Sequence, residues 1–136
     1  MNFRLQRQIT VAIENQPGRL ADIAKALASS GINIKDLSIL DSIEQGVIRM
    51  VTSDPAACKA LLTKQGFHPI EAEVLVVDLP DTPGELAVLA RALAEGGVNI
   101  DYAYGSEEPA EKKMRVVMKV SPLPRACDII KSLQEG

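Results

Sequence analysis

Tryptophan is absent from this 136-residue sequence, and all aromatic residues together make up 3% of it. The rings are Phe3, Phe67, Tyr102 and Tyr104. Hydrophobic residues nevertheless reach 46%, so the predicted core is aliphatic. Histidine occurs once, at His68 beside Pro69, and no Cys/His or Ser/His spacing of nucleophilic type is present. No catalytic residue is therefore expected. The two cysteines, Cys58 and Cys127, form no C-x-x-C pair and suggest no metal site. Both fall in predicted helices among apolar neighbours, as buried unreactive thiols do. G-x-G-x-x-G and G-x-x-x-x-G-K-[ST] runs are missing, which argues against a nucleotide cofactor. The net charge is −3 and no block of Lys or Arg stands out, which argues against a nucleic-acid partner. No apolar run approaches the length of a membrane span, and Met1–Gln8 has no apolar core of the signal type. The expectation is a cytoplasmic protein.

What the sequence does contain is a repeat. Asn15–Ile34 recurs as Asp81–Ile100, at an offset of 66 residues measured from Pro17 to Pro83. At that offset Pro17, Gly18, Leu20, Ala21, Ala24, Ala26, Leu27, Ala28, Gly31, Asn33 and Ile34 are all matched. A repeat is the first thing to establish, because it sets the architecture. In the first copy Leu20, Ile23, Ala24 and Leu27 fall at i, i+3, i+4 and i+7, one face of a helix. Leu86, Leu89, Ala90 and Leu93 repeat it. Pro17-Gly18 and Pro83-Gly84 make tight turns before each helix, and Gly31 and Gly97 are placed as left-handed C-terminal caps. Each copy thus reads strand, Pro-Gly turn, helix, glycine stop, strand.

Along the chain, Arg7–Ile13 alternates as a strand with one buried face. After the first repeat helix comes a strand over about Ile32–Ser42 whose phase slips near Lys35-Asp36, which predicts a bulge. Glu44-Gln45-Gly46 reads as a hairpin turn with Gly46 supplying an unusual φ, followed by a strand over Val47–Thr52. Asp54 and Pro55 cap and open a helix that stops at Gly66. Phe67–Ala72 is predicted to close the first unit and Glu73–Leu79 to open the second. The second unit continues with a helix over about Gly84–Glu95, a strand over Val98–Gly105, a polar loop Ser106–Lys112, a strand over Met114–Val120 and a last helix from Ser121-Pro122. Two units, 1–72 and 73–136, are expected, the second without its closing strand. That edge is either trimmed or covered by a partner strand. The order β-α-β-β-α-β predicts an α+β fold: two ferredoxin-like units, each an antiparallel sheet with helices on one face.

The P-G-x-L-a-x-i-a-x-x-L-a-x-x-G-x-N-I pattern, found twice in this strand order, resembles the ACT domain, a small regulatory domain that binds amino acids. In binding members of that family the ligand lies at an interface between two ACT domains. It is held by the turn before the first helix and by the Asn opening the second strand. The resemblance implies Asn15, Gln16, Pro17, Gly18, Arg19, Leu20 and Asn33 in copy one, and Asp81, Thr82, Pro83, Gly84, Glu85, Leu86 and Asn99 in copy two. Ile13 stands where some binders carry a His, and Asp81 replaces Asn15, so the copies are not equivalent. The chemistry suits an α-amino acid. Backbone amides at a helix start and an Asn amide receive a carboxylate, while Asp81, Glu85 or carbonyls take an ammonium. Asn33 and Asn99 are equally readable as local turn residues. Tyr102 and Tyr104 fit a core or ligand-lining role.

Two functional readings follow. The first is a non-catalytic amino-acid sensor of two ACT domains, forming a homodimer or other homo-oligomer. The second is a ligand-free regulatory or interaction subunit of a separate metabolic enzyme.

Overall fold

The computed structural model describes residues 1–14, 16–41 and 45–135. Among these the elements run β1 (Asn2–Glu14), α1 (Arg19–Ser29), β2 (Ile34–Asp41), β3 (Gln45–Thr52), α2 (Pro55–Lys64), β4 (Ile70–Pro80), α3 (Glu85–Glu95), β5 (Asn99–Glu108), a short 3₁₀ turn (Pro109–Glu111), β6 (Lys113–Ser121) and α4 (Leu123–Glu135). They form two compact units: Arg7–Glu73, and Val74–Gly136 together with Met1–Gln6. Each is a ferredoxin-like α+β unit.

In the first unit β2 pairs with β3 and β3 with β1, all antiparallel. The slip between Ile34 and Asp36 in the β2–β3 register is the bulge expected from the phase of the apolar residues. Inward-facing Ile9, Val11, Ile48 and Met50 close on Ile23 and Leu27 of α1 and on Cys58 and Leu62 of α2. Six of these side chains (Ile9, Leu27, Ile48, Met50, Cys58 and Leu62) are 0% exposed, and burying each Ile, Leu or Met among them contributes on the order of 1.5–3 kcal/mol. α2 is capped as its sequence predicts: Asp54 Oδ1 accepts from the Ala57 amide at 3.0 Å, with Pro55 in the first turn. Glu71, near the start of β4, is bound by Arg7 at 3.0 Å and Lys59 at 3.8 Å.

In the second unit β4 pairs with β6 and β6 with β5. Leu75, Val77, Leu89, Leu93, Met118 and Ile130 form the centre of its core. The position of the closing strand is taken by the chain's own Asn2–Gln6, since β1 is the hydrogen-bonded neighbour of β4. Met1 and Phe3 pack against this core, Arg4 binds Asp78 at 3.1 Å, and the Gln134 amide donates to the Met1 carbonyl. Periodicity marks a strand but not the partner it pairs with, so the first six residues read naturally as part of the first unit. β4 is continuous where the sequence predicts two strands, because Ala72 and Glu73 keep the extended backbone.

Two further expectations change. Ser106–Glu108 extends β5, with Ser106 opposite Arg115 and Glu108 opposite Lys113. Charge pairing holds this polar stretch: Arg115 binds Glu108 at 2.9 Å, and Lys113 reaches Glu111 at 2.7 Å. Gly46 is not a turn residue with a left-handed φ; it lies within β3, buried, opposite Ile13. Of the expected hairpin turn, Glu44 lies outside the described residues.

Burial pushes the Cys58 thiol above its ordinary value, only partly offset by the Thr52 hydroxyl. We expect a thiol reagent near pH 8 to label half-buried Cys127 first and Cys58 only on unfolding; equal labelling rates would contradict this. Gly18 has φ 91°, and a β-carbon added there would meet nothing within 4 Å, so Gly18→Ala meets backbone strain alone. It should cost about 1–2 kcal/mol in urea unfolding. Gly46→Ala, where the new carbon sits 3.5 Å from Ile13 Cγ1, should change stability much less.

Candidate ligand-binding site

The two Pro-Gly turns have one conformation. Gly18 lies at φ 91°, ψ −13° and Gly84 at φ 95°, ψ −14°, each as the N-cap of its helix. A residue with a Cβ is strained there, which explains glycine in both copies. The consequence is chemical: neither α1 nor α3 has a side-chain cap at its start, whereas α2 does. In α1 the first intrahelical bond runs from the Asp22 amide to the Gly18 carbonyl at 2.9 Å, and the Arg19 amide donates to the Gln16 carbonyl at 3.4 Å. By their place in the first turn, the Leu20 and Ala21 amides have no intrahelical acceptor and suit an anion.

Beside this helix start is a cavity of about 210 Å³ within the first unit. Gln16, Gly18, Arg19 and Leu20 line it, together with Ile13, Glu14, Ala21, Ile39, Leu40 and Gly46. The structure thus brings four of the sequence-predicted residues around one hollow. The lining is aliphatic at Ile13, Leu20, Ile39 and Leu40 and charged at Glu14 and Arg19. Arg19 Nη2 donates to Glu14 Oε2 at 3.0 Å and to Gln16 Oε1 at 3.3 Å. Both ion-pair partners are well exposed, so the pair contributes at most about 1 kcal/mol to stability. It does present one charge of each sign beside an open helix end.

The other predicted residues are placed differently. Asn15 lies outside the described residues. Pro17 is exposed in the turn. Asn33 follows the far end of α1, an 11-residue helix and hence about 16 Å along its axis from the turn. Its backbone is held by Ser53: the Asn33 amide donates to Ser53 Oγ at 2.9 Å, and its carbonyl accepts from the Ser53 amide at 2.9 Å. In copy two the Thr82 hydroxyl donates to Glu85 Oε1 at 3.5 Å, and the Asp81 amide donates to the Lys112 carbonyl at 3.1 Å. Pro83 and Gly84 complete that turn, and Leu86 is an exposed residue of α3. Asn99 Nδ2 donates to Asp101 Oδ1 at 2.7 Å, a local bond of the kind read from the sequence as the alternative role.

Glu14 and Gly46 line the cavity, although the sequence alone does not single them out as site residues. Glu14 carries a signal in its five-residue spacing from Arg19. Gly46 carries one in the inward-facing series Gly46, Ile48, Met50 of β3, where an aliphatic residue would continue the core. Among the described residues, no group of three or more His, Cys, Asp and Glu is placed to hold a metal ion. No helix of the described residues is long and apolar enough to cross a membrane.

Comparisons with known proteins agree with this fold. An aspartokinase of Corynebacterium efficiens is 34% identical over 80 residues, 57% of this chain but only 19% of that protein. The chain therefore spans about a fifth of that relative's length. The crystal structure of a Bacteroides thetaiotaomicron protein matches with a TM-score of 0.91 and 27% identity, over 98% of this chain and 92% of that one. The regulatory subunit of aspartate kinase from Thermus thermophilus shares the fold, with a TM-score of 0.71 and 19% identity over 99% of this chain and 96% of that one. The family described as an ACT domain pair matches residues 5–131, and the chain belongs to that family.

Proposed function

We propose that this chain is a non-catalytic regulatory module that binds a free α-amino acid at the Pro-Gly turn of its first unit and transmits that binding to a separate metabolic enzyme. The observation that carries the reading is the cavity beside the uncapped start of α1, rimmed by the Glu14–Arg19 pair. A zwitterion matches it. The ligand carboxylate faces the Leu20 and Ala21 amides and the Arg19 guanidinium, and the ammonium faces the Glu14 carboxylate. The likeness to regulatory subunits of aspartate kinase supports a partner enzyme, and a homodimer or higher oligomer is part of this reading. The turn residues of the second unit, Asp81 to Leu86, repeat the backbone conformation of the first turn at Gly84 but not its Glu14–Arg19 pair.

One observation favours the ligand-free alternative. β2 ends its unit's strand order, and Leu37, Ile39 and Leu40 on it are 42%, 47% and 50% exposed. Apolar side chains on an edge strand suit association with another chain.

Thermal unfolding with each standard amino acid separates the readings. A ligand that binds only the folded state adds about 2.7 kcal/mol at a hundredfold excess over its Kd. We expect a rise of several degrees with a related group of amino acids, weakened roughly tenfold or more in apparent affinity by Glu14→Gln. A flat panel, together with concentration-dependent association in sedimentation, would select the interaction subunit instead.

A further inference from the structure

We propose that the chain holds one amino-acid site, in the first unit, selective for an aliphatic side chain, and that Gly46 sets its size while Met114 fills its counterpart. This rests on the amino-acid-binding reading above and gives it a ligand class and a stoichiometry.

The argument starts from strand register. Ile13 is opposite Gly46, and Leu79, its repeat equivalent, is opposite Met114. Met114 therefore stands where Gly46 stands. A β-carbon on Gly46 would sit 3.5 Å from Ile13 Cγ1 and 3.6 Å from the Leu40 carbonyl, both in cavity-lining residues. The missing side chain of Gly46 thus belongs to the hollow itself. Met114 instead packs, half-buried, against the core of the second unit.

The rest of the cavity wall changes in the same way. Ile39 and Leu40 are opposite Ile48 and Val47, and the residues at the matching register of β5 are Gly105 and Ser106, opposite Val116 and Arg115. The rim changes too. At the repeat offset Glu14 becomes Pro80 and Arg19 becomes Glu85, so the second turn has no matching pair of opposite charges. The Gly46 position, the Ile39–Leu40 stretch and the charged pair thus all differ, although Leu20 is matched by Leu86 and the two turns share one backbone conformation. The turn was duplicated, but only the first copy retains what a zwitterion with an apolar side chain needs.

The ligand class follows from where the charges lie. Glu14 and Arg19 at the rim match the two charges every α-amino acid carries. Ile13, Leu20, Ile39 and Leu40 offer a ligand side chain apolar contact, and with Glu14 and Arg19 engaged by the ligand's own two charges the lining holds no further charged group to pair with a charged side chain. Leucine, isoleucine and valine satisfy both parts.

The test is isothermal titration calorimetry of the full chain with L-leucine, L-isoleucine, L-valine, L-lysine and L-aspartate. We expect one equivalent bound per chain, with an aliphatic amino acid at least tenfold tighter than lysine or aspartate. Two equivalents would overturn the single-site claim, and tighter binding of lysine or aspartate would overturn the ligand class, while either leaves amino-acid binding standing. No heat with any of the twenty standard amino acids would overturn the underlying reading as well. Gly46→Met should lower aliphatic affinity at least thirtyfold, and wild-type affinity in this variant would overturn the role of Gly46. Gly46→Ala places a carbon at ordinary contact distance and keeps the test valid if the larger change perturbs folding. It should shift the leucine-to-valine affinity ratio towards valine, and an unchanged ratio contradicts the proposal.

Discussion

Gly18 lies at φ 91°, and that single backbone conformation carries the chain from β1 into α1 with no side chain over the helix end. The same conformation at Gly84 starts α3. An N-cap Ser, Thr, Asp or Asn would satisfy an amide internally, as Asp54 does for α2. The left-handed geometry leaves those donors facing outward instead. The position of the Glu14–Arg19 pair, the hollow over Ile13 and the approach to the Leu20 and Ala21 amides all depend on this turn.

Around that turn each unit solves one packing problem: an aliphatic sheet face must be covered by two helices, almost without aromatic rings. Leu27 and Leu62 do this in the first unit, and Leu93 and Ile130 in the second, each fully buried. Closure of the second unit comes from far away in the sequence, through Asn2–Gln6 with Met1 and Phe3 on its core. Met1–Gln6 and α4 are therefore structural parts of one unit, and the Arg4–Asp78 pair fixes the strand that joins them.

The elements are largely legible in the sequence because repeat and period agree. Leu20, Ile23 and Leu27 mark α1, the echo marks α3, and the phase slip at Lys35-Asp36 marks the bulge that the register records. Long-range choices are not legible. Nothing in Asn2–Gln6 states which unit it joins, because strand partnership is decided by contacts some seventy residues away, such as Arg4 with Asp78. Gly46 reads as a turn residue because glycine after a polar dipeptide usually marks one; here it is an inward position of β3 left empty. Of the proposed site, the turn residues are visible from the resemblance. Ile13, Glu14, Ile39, Leu40 and Gly46 require the fold, since they come from three strands that meet only in the sheet.

The most direct measurement is a two-dimensional amide NMR titration of the intact chain with L-leucine. The account predicts shifts concentrated at Gly18, Leu20, Ala21 and Gly46, with Gly84, Leu86, Ala87 and Met114 unmoved. Shifts centred on the second turn, or none at saturating ligand, would contradict it.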